Sequence, residues 1–581
     1  MKLWLVFNIL HLHFVLIFGE KTCHKKKPNI VIIMADDMGF NDVSFNGQNQ
    51  FITPNLDALA YNGIILNKHY TPPMCSPSRT AFLTGKYPIR TGMQHFVMAN
   101  DDPWGLCPNE ILMSHVFKAN GYSTNLVGKW HLGYFKKVFT PLYRGFDHHY
   151  GYMGGYIDYW DHSVIMLDKN YSRGYDFYND LKINYRGRGQ YATDLFTNEA
   201  IRIIENHGPG KKPLFLMVNH LAPHTGNEND PMQAPLSEIN KFQYIKDEKR
   251  RKYAAMVSKL DKSVGLIVKA LSNRNMLCNT IILFYSDNGA PTQGLHSNSG
   301  SNFPFRSQKN SPFEGAIRVP AILYSPLLNQ RSYVSKQLIH LTDWFPTLAS
   351  AAGIKIVSSK KLDGIDLWDN LSNAKSPISR KILHNIDEIF GYSSYLEGDW
   401  KYVNYTTSNG KYDNFLGRIG NELDPRTKNY YSEIMESDIG SSLNKGNQKC
   451  STSTLLTKNN VERLRYQAKI KCPIYPLMEI KSFKCKPLEE PCLFNLNYDP
   501  CERYNFAKYF SFRVKAMQEN LKSFRKELVP SVYKMGDKNA NPALHNGTWT
   551  WWVDDTYDIG IPGTYCKGLE LDIRYKGDLK L

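Results

Sequence analysis

The sequence predicts an α/β fold, a large domain with a mostly parallel sheet flanked by helices plus a smaller C-terminal domain with an antiparallel sheet. Three observations predict it. Four short apolar runs stop abruptly at polar residues: Asn29–Met34 at Asp36-Asp37, Ser123–Val127 at Gly128-Lys129-Trp130-His131, Leu214–Val218 at Asn219-His220, and Ile281–Tyr285 at Asp287-Asn288-Gly289. Unbroken apolar runs of this length read as strands buried on both faces of a parallel sheet. Helical patterns over Glu110–Ala119, Tyr253–Ser272 and Ser335–Ala352 alternate with them. From about residue 384 the character changes to short segments rich in Tyr, Trp and Val (Ser393–Tyr405) followed by clustered cysteines, which read as a small antiparallel sheet. The expected division is a leader over 1–19, a large α/β domain over 20–383 and a disulfide-containing domain over 384–581. Asp424–Lys471 carries few signals and reads as long loops.

The composition fits a globular chain. At 581 residues it is too long for one simple core, its apolar content of 42% is ordinary, and Gly and Pro are spread along it. Lys2 followed by the apolar stretch Leu3–Phe18 and the small Gly19 reads as a cleaved export signal. The competing reading, a membrane anchor, is weakened by the short run and by Asn8, His11 and His13 within it. No later segment is long and apolar enough to span, and the polar tail Lys576–Leu581 argues against a lipid-anchor signal. The expectation is a secretory-pathway protein, lysosomal or secreted, without stable membrane insertion. Export permits disulfides. Of ten cysteines, six fall after residue 440. Setting Cys75 aside leaves an odd number, so at least one is unpaired or bonded outside the chain. Sequons occur at Asn170, Asn370, Asn404 and Asn546. The formal charge of +17 fits a polyanionic partner as well as it fits a solvated lysine-rich surface. Nucleic acid is a poor partner for an exported chain with no nucleic-acid-binding motif.

In open α/β sheets the site lies beyond the carboxyl ends of the strands. Four strand ends bearing Asp, Lys, His and Asn therefore predict one shared site. Asp36, Asp37, Asp287 and Asn288 offer only oxygen donors, which suits a hard cation, Ca²⁺ rather than Zn²⁺. Asp36-Asp37 alone would be an ordinary turn; Asp287-Asn288-Gly289 repeats the arrangement at a second strand end. In Cys75-Ser76-Pro77-Ser78-Arg79, Ser76 suits a cap, Pro77 a first helical position and Gly85 a stop. Cys75 is thus expected at a helix N-terminus, where free amides and the dipole stabilise a thiolate or a bound oxyanion. Arg79, one turn along, can fork toward that anion.

Here the sequence resembles the sulfatase family. The signature C-x-P-S-R-x-x-x-L-T-G is met in full by Cys75 to Gly85. A second is met by Gly121-Tyr122-Ser123-Thr124 and Gly128-Lys129-Trp130-His131. The resemblance runs from Asn29 to about Trp400. It looks closest to the arylsulfatase B (N-acetylgalactosamine-4-sulfatase) type, through Val127–Gly133, Leu362-Asp363-Gly364-Ile365-Asp366 and His384-Asn385-Ile386-Asp387.

The resemblance implies a sulfuric ester hydrolase whose Cys75 is converted to formylglycine by the formylglycine-generating enzyme during export. One hydroxyl of the hydrated aldehyde would attack sulfur, and the second would then expel sulfate from the enzyme-bound ester. It also implies one Ca²⁺ at Asp36, Asp37, Asp287 and Asn288, with the modified Cys75 beside it. Lys129 and Lys309 would neutralise sulfate charge, and His131 would orient or deprotonate the hydrate. His224, in an H-x-x-P-H setting, would protonate the leaving oxygen in preference to His220. Around Lys309 the chain departs from the family: relatives usually read R-G-x-K and then W-E-G-G, whereas here stand Arg306-Ser307-Gln308-Lys309 and Phe313-Glu314-Gly315-Ala316. The expected substrate is a sulfated sugar such as N-acetylgalactosamine 4-sulfate. The alternatives are small aryl or plant-derived sulfates, or a non-catalytic protein that binds sulfated glycans. A phosphate-ester hydrolase is a third reading, disfavoured by Cys75 and the single oxygen-ligand set.

Overall fold

The structure, a computed structural model, describes residues 26–166, 172–208, 212–356, 361–449, 456–476 and 483–553. The expected leader, the sequon at Asn170 and the C-terminal tail lie outside the described residues.

Asn29–Ala35, buried at every position, is the middle of a ten-stranded sheet. Thr280–Ser286 and Leu214–Asn219 pair parallel on its two sides, with Ile30 opposite Ile281 and Phe215, and Ser123–Lys129 follows parallel to Leu214–Asn219. These are the four apolar runs of the sequence, and all four point their carboxyl ends the same way. Beyond Ser123–Lys129 the sheet continues with the parallel strand His148–Tyr152 and a short antiparallel hairpin, Tyr178–Asn179 with Lys182–Ile183. Beyond Thr280–Ser286 come the antiparallel Ala321–Tyr324, then Ile64–Leu66 and Tyr333–Ser335. Only side strands are antiparallel, so the four central carboxyl ends form one rim.

Helices flank the sheet in two groups. Glu248–Asn273 packs with Ala192–Asn206 and Pro54–Asn62, while Cys75–Thr84 packs with Met113–Ala119 and Trp344–Ala351. The long helix starts where the Asp247 carboxylate accepts the Arg250 amide at 2.7 Å. Its buried stripe of Val257, Leu260, Val264, Ile267, Val268 and Leu271 follows helical spacing.

The smaller sheet is antiparallel throughout, in the order Lys381–Asp387, Tyr392–Glu397, Trp400–Asn404 and Cys492–Asn495. Val514, Met517 and Leu521 of the helix Ser511–Lys526 cover it, against Leu383, Ile386, Tyr395 and Leu493. Disulfides Cys485–Cys492 and Cys472–Cys501 staple the region, and Cys107 and Cys278 are disulfide-bonded too. Among the described residues Cys75 is the free cysteine.

Two expectations are corrected. Asp424–Lys471 is not long loops but carries the helices Tyr430–Glu436, Asp438–Lys449 and Lys458–Ala468, which pack on the large domain. They bury narrow faces (Ile434; Ile439 and Leu443; Val461 and Leu464) within an otherwise polar sequence, so no apolar run announces them. The helix expected over Ser335–Ala352 begins only at Trp344. Ile339–His340 pairs as a strand with His69–Tyr70, and the Asp343 carboxylate accepts the His340 amide at 2.7 Å at the turn into it. No helix among the described residues is long and apolar enough to cross a membrane.

Candidate active site

The strand-end residues meet at one place. Asp36 and Asp37 follow Asn29–Ala35, Lys129 ends Ser123–Lys129, and Asp287 and Asn288 follow Thr280–Ser286. The Asp37 amide donates to the Asp287 carboxylate at 3.2 Å, and the Asp287 amide to the Ala35 carbonyl at 3.0 Å, which stitches two strand ends together. Asp37 holds a left-handed conformation, φ 62°, which turns its side chain into this junction. Gly128 must be glycine. Its φ is 95°, and a Cβ there would lie 2.0 Å from the Asn219 carbonyl oxygen.

Cys75 enters from below as the first residue of the helix Cys75–Thr84, which stops at Gly85, φ 67°. The helix starts earlier than the sequence suggested: Met74 holds the cap position, and the Ser76 hydroxyl instead accepts the Met98 amide at 3.4 Å. The thiol faces the Asp36 carboxylate at 3.6 Å and that of Asp37 at 3.9 Å, with the Lys309 ammonium 3.1 Å from Sγ. Burial pushes the thiol pKa well up; Lys129 and Lys309 oppose the rise, and Asp287 and Asp36 add to it. Of the two anions the helix N-terminus could stabilise, desolvation and the neighbouring carboxylates thus disfavour a thiolate.

The charges are interleaved. Lys129 Nζ lies 2.7 Å from Asp36 Oδ2 and Lys309 Nζ 2.6 Å from Asp37 Oδ1. Arg79 lies 2.9 Å from Asp287 Oδ2 and donates to the Lys129 carbonyl at 3.3 Å, so its fork holds a carboxylate rather than an open anion position. Burial opposes ionisation of Asp37, but Lys309 and His224 prevail and hold its pKa down at about 2. Asp287 goes the other way, to about 6, through burial and the charge of Asp36.

Three carboxylates in one buried cluster point to a cation. Ligand atoms of Asp36, Asp37, Cys75 and Asp287 all lie within 4.8 Å of one another. Asp37 Oδ2 and Asn288 Oδ1 are buried acceptors without a hydrogen-bond donor, an arrangement normally avoided unless something else satisfies the oxygen. The residues fit a hard, oxygen-loving ion.

Two histidines border the cluster. His131 donates from Nε2 to the Met98 carbonyl at 2.9 Å, which leaves Nδ1 as a lone pair, buried and without a partner. Burial first, then Lys129 and Arg79, hold its pKa well below the ordinary value. His224 donates from Nδ1 to the Thr225 carbonyl at 2.7 Å, and its Nε2 lies 3.4 Å from Asp37 Oδ2. His220 lies elsewhere, in the core, with Nε2 3.0 Å from the Ser263 hydroxyl.

Comparison with known proteins agrees with this arrangement. The Sulfatase family model matches residues 28–354. Arylsulfatase J of Mus musculus is 34% identical over 92% of this chain and 82% of its own length. The chain belongs to the sulfatase family. N-acetylgalactosamine-6-sulfatase of Mus musculus is also 34% identical, over 58% of this chain and 65% of its own length. The crystal structure of Ps i-CgsB in complex with k-i-k-neocarrahexaose superimposes with TM-score 0.66 at 25% identity, covering 90% of this chain and 98% of that one. The chain is accordingly a sulfuric ester hydrolase.

The fold of this sulfatase brings together all the site residues expected from sequence: Cys75, Arg79, Lys129, His131, His224 and Lys309 around Asp36, Asp37, Asp287 and Asn288. Others sequence reasoning did not find. Asn298 donates to the carbonyls of Asp37 (2.8 Å) and Pro223 (3.2 Å), clamping the loop before Lys309 onto the Asp36-Asp37 turn. Tyr156 and His296 pack beside His224. All three stand in irregular loops, Tyr156 in a glycine- and aromatic-rich one, where no periodicity marks them.

Proposed function

We propose that this sulfatase hydrolyses its ester with the hydrated aldehyde of an oxidised Cys75, beside one Ca²⁺, on a sulfated sugar such as N-acetylgalactosamine 4-sulfate. The supporting observation is a neutral, buried thiol among three carboxylates, next to two acceptor oxygens that lack donors. A thiol held neutral is a poor nucleophile, whereas an aldehyde hydrate at the same position carries hydroxyls that need no thiolate. The Sγ atom stands in for those oxygens.

Asp36, Asp37, Asp287 and Asn288 would hold the ion, which polarises sulfate oxygens when bound. The chain's own residues do the rest. Lys309, 3.1 Å from Sγ, and Lys129 bring positive charge to where the sulfuryl group sits. The bare Nδ1 of His131 takes a proton from the hydrate. His224, whose Nδ1 donates to the Thr225 carbonyl, would hand a proton from Nε2 to the leaving oxygen as the imidazolium, a form that burial opposes and that Asp37 favours. Three cationic side chains against three carboxylates leave the ion's charge uncompensated, which favours an anionic substrate.

Names of relatives support the substrate class. One is an N-acetylgalactosamine-6-sulfatase, and the superimposed structure holds a neocarrahexaose. The test is an assay of wild type and Cys75→Ala against N-acetylgalactosamine 4-sulfate, N-acetylgalactosamine 6-sulfate and a small aryl sulfate. Turnover of the 4-sulfate above the others, abolished in Cys75→Ala, is expected; preference for the aryl sulfate would contradict the sugar assignment.

A further inference from the structure

Three rings meet on the outer side of His224. Tyr156 lies nearly parallel to the His224 imidazole, with centroids 5.8 Å apart, and His296 closes the group at 4.9 Å from Tyr156 and 5.6 Å from His224. His296 sits at φ 55°, a conformation unfavourable to a residue with a Cβ, and Asn298 anchors the loop two residues later. The loop therefore holds this ring in place at a cost.

The orientation of the ring is readable from its partners. His296 Nδ1 lies 3.4 Å from Glu228 Oε1 and 3.2 Å from the Thr225 hydroxyl. The Glu228 carboxylate beside Nδ1 favours the tautomer with the proton on that nitrogen, which then donates to the Thr225 hydroxyl and leaves Nε2 an uncharged acceptor. Nε2 makes no hydrogen bond among the described residues. The His296 side chain is 26% exposed and that of Glu228 32%, whereas His224 is only 5% exposed. A substrate whose leaving oxygen reaches His224 thus lays the remainder of its ring against Tyr156 and His296, with the Glu228 carboxylate at the rim.

We propose that His296 determines specificity on the leaving-group side: its Nε2 accepts a hydrogen bond from a hydroxyl or acetamido N–H of an uncharged sugar ring, while Glu228 disfavours a ring bearing its own carboxylate, such as a uronic acid. The inference rests on the reading of His224 as the group nearest the leaving oxygen. A neutral acceptor beside a fixed negative charge suits a donor and repels an anion, and a site built to bond a hydroxyl rejects ligands that lack one.

Binding to a turnover-deficient protein tests this without relying on catalysis. In a Cys75→Ala background, calorimetry compares His296→Ala, His296→Gln and Glu228→Gln for N-acetylgalactosamine 4-sulfate, a uronic acid 2-sulfate and 4-nitrophenyl sulfate. Losing one neutral hydrogen bond should weaken the sugar sulfate about three- to tenfold more than the aryl sulfate in His296→Ala. His296→Gln, which keeps an acceptor, should restore most of the difference, and Glu228→Gln should narrow the preference for the uncharged sugar over the uronic acid. Equal weakening of sugar and aryl sulfates by His296→Ala, or none at all, overturns the proposal while leaving the sulfatase reading intact. If Cys75→Ala binds none of the three, the reading of this site as one for sugar sulfates fails and the proposal fails with it.

Discussion

Lys309 is the cation that touches both Asp37, at 2.6 Å, and Cys75 Sγ, at 3.1 Å. Burial opposes its charge, but the carboxylates of Asp37, Asp36 and Asp287 prevail and hold its pKa up. Removing one such preorganised charge typically costs about 10²–10³ in kcat. Lys309→Ala should fall in that range, with a smaller effect on KM; a loss under about tenfold would mean that Lys129 carries the role alone. The neutral thiol yields a second expectation. In protein made without oxidation of Cys75, iodoacetamide at neutral pH should leave that cysteine unlabelled, as read by peptide mass. At this scale the sequence was informative where a motif fixes chemistry, as in Cys75 to Gly85. Lys309 was legible only through resemblance, because its loop has no periodicity, and His296 was not legible at all: a lone histidine in a polar loop has no signal until the fold sets it beside His224.

The small sheet reaches the site through its first strand. The Asn385 side chain donates to the Gln94 carbonyl at 3.0 Å, and the His95 ring meets the Asp387 carboxylate at 3.0 Å. These hold the segment whose Met98 carbonyl fixes the tautomer of His131. Asn385→Ala leaves buried groups without partners, which costs about 1–3 kcal/mol of stability, and should lower kcat more than it raises KM. In a His131→Ala background it should cost no further turnover, because the histidine it positions is gone; an undiminished loss there would show a purely structural role. A second element contact predicts pH dependence. His148, on the strand His148–Tyr152, lies 2.8 Å from both Asp180 and Glu199, the latter on the helix Ala192–Asn206. Burial opposes protonation, but Glu199 and Asp180 prevail and raise its pKa. A raised histidine contributes stability that is fully present below the unfolded-state pKa of about 6.5 and is lost as pH rises through the folded value. The stability gap between wild type and His148→Ala should therefore be wider at acid than at alkaline pH by denaturant unfolding. The central strands were legible because burial on both faces leaves unbroken apolar runs. The helices between residues 430 and 468 were not, since a helix that buries one narrow face spends most of its sequence on polar residues.

Across the whole molecule, two fields act on the substrate: the buried cluster and a formal charge of +17. Long-range attraction is screened over about 10 Å at 0.1 M salt, so added salt should raise KM for a sulfated oligosaccharide far more than for a small aryl sulfate. Identical salt dependence would mean that the lysines are only a solvated surface. The carboxylate cluster joins two central strand ends, so if it holds Ca²⁺ as proposed, the ion should raise the thermal midpoint and a chelator should lower it, with little of either effect in Asp287→Ala. That the large parallel sheet places its four central carboxyl ends on one rim explains why the architecture and the site were predictable together. The central claim, that an oxidised Cys75 is the nucleophile, is tested most directly by the mass of the peptide containing Cys75 in protein recovered from secreting cells, set against the specific activity of the same preparation. The account predicts that Cys75 appears as the aldehyde and that activity rises in proportion to its fraction; a fully active preparation with only thiol at Cys75 would contradict it.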